Sequence, residues 1–162
     1  MQKLTKLDYQ IRLSVLLLAF ISPLIYLMIS GYQPSLSSYW NTICQPMFIV
    51  VNTSTAFYLT QIKNWKMSAL TLLLLTAFSI ALFPNTHNVL ATLFFVVTIY
   101  PLWITHHFKW VVWLYMISLL IFPFNMLIAE IVAMWLVCLH QGLVLIKLYK
   151  LSNRVKNNIE YE

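Results

Sequence analysis

The chain has 162 residues, of which 61% are hydrophobic, 9% are charged and only 2 are glycine. That balance excludes a soluble globular domain, which carries far more charge, and a disordered chain, which carries far less apolar side chain. The net charge of +6 does not point to nucleic acid. The basic residues form no patch with interleaved aromatics but flank hydrophobic runs, as membrane insertion selects.

The composition therefore predicts an all-α integral membrane protein, with residues 1–162 forming one transmembrane domain. In chain order, a polar N-terminus bearing Lys3, Lys6 and Arg12 precedes a first apolar run over 13–30. This run is longer than a signal-peptide core and lacks a small-residue cleavage site, so it reads as a retained helix. Pro23 is tolerable there because a membrane helix resatisfies the freed carbonyl locally. Residues 32–45 form the longest polar connection and hold no charge.

A second helix is predicted over 46–62. It contains Asn52, Thr53, Ser54 and Thr55 in succession, a pattern that favours the inside of a bundle or helix packing by small polar side chains. Lys63 and Lys66 close it, and a third helix follows over 67–83. Residues 84–88 read as a short uncharged turn before a fourth helix over 89–105, with His106, His107 and Lys109 as its polar stop.

From Trp110 to Ile146 the chain is again apolar. One helix of that length would measure about 55 Å against a bilayer core of about 30 Å, so the chain must fold back. Pro123-Phe124-Asn125 is the turn signal, giving a short fifth helix over 110–122 and a sixth over 126–146. Residues 147–162 form a basic tail, read chiefly as a topology signal.

On this six-helix up-and-down path all 10 Lys and Arg residues fall on one side. The positive-inside rule then makes both termini cytoplasmic. Trp65, Trp103, Trp110 and Tyr149 fall near the inner boundary, and Tyr32, Tyr39 and Trp40 near the outer one.

Of 4 acidic residues, Glu130 alone lies in an apolar run. A carboxylate in lipid costs from about 2.5 kcal/mol upward, so it faces protein or a wet cavity and finds a partner. Glu130, Val137 and Gln141 share one helix face, directed into the bundle, while His140 is rotated away and lies in the inner half. The same outer side holds His87, the loop residues Ser35, Ser37, Ser38, Tyr39 and Asn41, and Asn52 slightly deeper. Glu130 reads either as a structural carboxylate bonded to Asn52, His87 or a partner subunit, or as a ligand or proton site. His87 reads as a helix-capping residue or a ligand.

Enzyme chemistry is thinly supplied. One intramembrane carboxylate gives no acid–base pair. His87 and Glu130 fall short of a three-ligand zinc site, and His106 with His140 is a weak basis for haem. No catalytic residue, metal or cofactor is expected. Cys44 and Cys138 lie at different depths and are read as unpaired and structural.

The stretch Pro34-Ser35-Leu36-Ser37-Ser38-Tyr39-Trp40-Asn41-Thr42 resembles the P-S-I-S-x-Y-Y-x-T outer loop of a family of small bacterial six-helix membrane proteins of unknown function, distantly like the DRAM-type proteins. Ala81-Leu82-Phe83-Pro84, then His87-Asn88-Val89-Leu90-Ala91 and Phe94-Phe95, are similar to that family's third loop and fourth helix. Two departures stand out. Trp40 replaces the second tyrosine, and Cys44-Gln45-Pro46 stands where the family places an Arg-Asp or Arg-Asn pair. The resemblance implies an outward-facing polar site that links Ser35, Ser37, Tyr39 and His87.

The expectation is thus a non-enzymatic protein whose outward pocket, built from Glu130, His87, Ser35, Ser37, Tyr39 and Asn52, binds a lipid headgroup or a partner helix. An accessory subunit of a larger membrane complex is the alternative, and an enzyme or proton carrier using Glu130 the third reading. Membrane lipid and other membrane subunits are the expected partners.

Overall fold

A computed structural model describes residues 5–105 and 108–159, with backbone alone from 153. His106 and His107, expected as a polar stop, lie outside the described residues. Those described are helical, with no strand: α1 Lys6–Ser30, α2 Gln45–Thr60, α3 Lys66–Ala77, α4 Pro84–Ile104, α5 Lys109–Leu119 and α6 Met126–Ile159, plus a 310 segment Leu36–Asn41.

Three stretches are long and apolar enough to cross a membrane: Lys6–Ser30, Pro84–Ile104 and Met126–Ser152. The others are shorter than expected. α3 has 12 residues and α5 has 11, which at about 1.5 Å per residue gives roughly half a bilayer core.

The boundaries have local causes. α1 starts ahead of its apolar run because Thr5 and Asp8 form a capping box. The Asp8 N–H donates to Thr5 Oγ1 at 3.1 Å and the Thr5 N–H to Asp8 Oδ2 at 3.3 Å. It ends at Gly31, whose φ of 67° is left-handed and natural for glycine. Residues 84–88 are not a turn but the opening of α4. Proline at a first helical position lacks only an N–H that would be unpaired anyway, and the α3–α4 connection is 78–83 instead. The fold-back signal at 123–125 is as expected. Asn125 caps α6 by accepting the Ile128 N–H at 3.0 Å. α6 then continues to Ile159, so the described part of the basic tail is helix.

Each helix packs on its sequence neighbours, and α1 also packs on α6, closing a ring. That closure is anchored by a Tyr9–Tyr149 stack at 4.2 Å and by Trp135. The Trp135 ring stacks on Phe20 at 5.2 Å while its Nε1–H donates to the Phe20 carbonyl at 2.7 Å. Leu17, Leu24, Val96, Trp113 and Ile117 are exposed on the ring's outer surface, an apolar exterior suited to lipid. Inside, Ala56, Ala69 and Ala133 are fully buried in the main core cluster with Trp65 and Tyr115. Small residues there let backbones approach closely.

Enlarging such a position should force the helices apart. Ala56→Leu is expected to lower stability by about 1–3 kcal/mol, read by unfolding in detergent micelles. The outward Val96→Leu should leave it within about 0.5 kcal/mol.

Candidate functional site

Glu130 lies near the start of α6 and is 4% exposed. Its Oε2 accepts a hydrogen bond at 2.6 Å from the backbone N–H of Leu36, which is 94 residues away in sequence. Leu36 opens the 310 segment, and an N–H at a helix start has no partner within its own helix. The carboxylate and this N–H therefore satisfy each other, and the loop between α1 and α2 is tied to α6.

The rest of that loop is internally bonded. Ser35 Oγ lies 2.9 Å from the hydroxyls of both Ser37 and Ser38. The Tyr39 ring is fully buried against Tyr26, and its hydroxyl donates to the Gly31 carbonyl at 2.8 Å. The Tyr32 hydroxyl donates to Asn125 Oδ1 at 3.2 Å, fastening the same loop to the start of α6.

Beneath the 310 segment is a cavity of about 80 Å³ walled by α1, α2, α3, α4 and α6. At about 30 Å³ for each water it has room for two or three. Its walls are mostly apolar, including Phe48, Leu72, Leu75, Ala91, Phe94 and Ala133. Four of the six expected site residues line it: Glu130, His87, Asn52 and Ser37. Ser35 and Tyr39 do not; their hydrogen bonds shape the loop above it.

His87 lies in the first turn of α4 and serves two helices. Its Nδ1 is 2.7 Å from the carbonyl of Phe78, the residue that ends α3. Because a carbonyl only accepts, Nδ1 carries the proton of the neutral ring, an assignment made from the hydrogen-bond network. Nε2 is then a lone-pair acceptor. It is buried without a hydrogen-bond partner among the described residues. Thr55 Oγ1, also on the cavity wall, is likewise buried and unbonded.

On α6, Glu130, Val137 and Gln141 are all buried, as their shared face predicts. Further along, Gln141 Oε1 accepts from the Tyr58 hydroxyl at 3.5 Å, and Gln141 Nε2 lies 3.3 Å from His140 Nδ1. His140 is equally buried, with its ring edge-on to Phe108. Cys44 and Cys138 are buried, free thiols.

No protein-family model, curated protein or solved structure matches this chain. What the site can do rests on its own chemistry. Sequence reasoning missed the Leu36 N–H, since a backbone donor leaves no mark in side-chain identity. It also treated Thr55 only as a packing residue, although Thr55 lies three positions after Asn52 and so on the same helix face.

The Glu130–Leu36 bond makes a direct prediction. Glu130→Ala leaves the N–H of Leu36 without an acceptor and should cost about 1–3 kcal/mol, with faster amide exchange across Leu36–Asn41. Glu130→Gln keeps an acceptor oxygen and should retain most of that protection. Equal exchange in both variants would remove the bond from any role in holding the loop.

Proposed function

We propose that this chain is a non-enzymatic, multi-pass protein of a bacterial inner membrane whose cavity at Glu130 binds the polar end of a membrane lipid. Six helices cross, with α3 and α5 extended to the bilayer surface by the turns that follow them, and both termini are cytoplasmic. The basic residues support that orientation: Lys63, between α2 and α3, and Lys66 and Lys109, which open α3 and α5, lie at the end of the ring opposite the Leu36 loop.

The observation that carries the reading is the cavity itself. An apolar chamber with a few convergent polar groups is the usual form of a small-molecule site, and this one holds a buried carboxylate with one hydrogen bond among the described residues. The same geometry weighs against the accessory-subunit reading. Glu130 turns into the ring and is 4% exposed, so a neighbouring subunit packed on the outside would not reach it.

Native mass spectrometry of the protein extracted in mild detergent tests this. The wild type is expected to retain about one small amphiphile per chain, and Glu130→Leu to lose it. A stoichiometric protein partner lost in that variant would establish the subunit reading instead. A ligand-free wild type would remove lipid binding.

A further inference from the structure

The cavity's polar groups are unbalanced. Among the described residues Glu130 is its only acidic side chain, no Lys or Arg lines it, and His87 Nε2 and Thr55 Oγ1 are buried without hydrogen bonds. Since Nδ1 donates to Phe78, the free histidine nitrogen presents a lone pair. The carboxylate also presents lone pairs beyond the one used by Leu36. A ligand that satisfies this wall must bring several donor hydrogens and must not bring negative charge.

We infer that the cavity takes the primary amino group of an apolar-tailed amphiphile, its ammonium donating to Glu130 and His87. This rests on the lipid-binding reading above and narrows it to one head chemistry. An ammonium supplies three donors on one compact positive centre. It brings the positive charge that the Leu36 N–H, a neutral donor, does not supply to the buried carboxylate. The about 80 Å³ of space suits such a head, and the aromatic and leucine walls suit the first carbons of its tail.

Other heads fit less well. An alcohol offers a single donor and no charge. A trimethylammonium has the charge but no donor hydrogen and is bulkier. A carboxylate or phosphate meets Glu130 with like charge and finds no cation. A metal ion lacks ligands, because among the described residues no three His, Cys, Asp or Glu side chains gather to hold one.

The test uses the full-length protein in maltoside micelles and four probes with the same tail: dodecylamine, dodecanol, dodecanoic acid and dodecyltrimethylammonium, each at low mole fraction. Binding is read by native mass spectrometry and by the unfolding midpoint. Dodecylamine is expected to bind at least about tenfold more tightly than the other three, the scale of a charge-assisted hydrogen bond. Glu130→Gln, which keeps an acceptor for Leu36, should remove that advantage.

Equal affinity for the amine and the trimethylammonium probe would overturn the inference, because charge without donors would then suffice. Amine binding unchanged in Glu130→Gln would overturn it as well, as simple partitioning. Tighter, Glu130-dependent binding of dodecanol or of a phospholipid would refute the amine head and leave the lipid-binding reading intact. No Glu130-dependent ligand at all would refute both. The rank order of probes needs only the wild type, so it decides the question even if the variant does not fold.

Discussion

The hydrogen bond from the Leu36 N–H to Glu130 is the contact on which the loop end of this bundle depends. A carboxylate is expensive in lipid and an unpaired backbone N–H is expensive in any dry interior, and each is the other's remedy. Once made, the bond places the 310 segment over the middle of the ring. The Tyr39–Gly31 and Tyr32–Asn125 bonds then hold that segment from its two sides. The segment packs on α1, α2 and α6 together, so this bond joins Tyr32–Asn125 and Trp135–Phe20 in linking the first helices of the chain to the last.

Why a cavity survives beneath it follows from ring geometry and residue size. Six helices closed in a circle leave a centre that only inward side chains can fill. At this level two of those side chains are alanines, Ala91 on α4 and Ala133 on α6. Aromatic rings at Phe48, Phe94 and Phe95 border the space. Interiors are otherwise packed to crystal-like density. A void bordered by a carboxylate, an imidazole and a hydroxyl therefore differs in kind from a packing defect, which would be apolar throughout.

Much of this was legible in the sequence, and the exceptions share a cause. Membrane class, the fold-back at 123–125 and the inward face of Glu130, Val137 and Gln141 all follow from side-chain identity at a known period. The lengths of α3 and α5 did not follow, because hydropathy cannot tell helix from apolar turn: residues 78–83 and 120–122 are as greasy as what precedes them. Pro84 was read as a turn residue when it is equally at home in the first turn of a helix. Tyr39 and Ser35 were placed in the site by their side, not their depth. Both prove to be the hydrogen-bonded frame of the loop, while the donor that meets Glu130 is a main-chain group carried by a leucine.

His87 shows how the fold can dictate the chemistry of a site. α3 stops short at Phe78, leaving a carbonyl at its end that the helix cannot satisfy. Proline at the head of α4 starts the next helix early enough to bring His87 back onto that carbonyl. The capping bond fixes the tautomer, and the tautomer leaves a lone pair on Nε2 of a residue that lines the same cavity as Glu130. An imidazole free of that duty could offer either a donor or an acceptor there. Held as it is, the neutral ring offers only an acceptor, and that restriction originates in the premature end of a short helix.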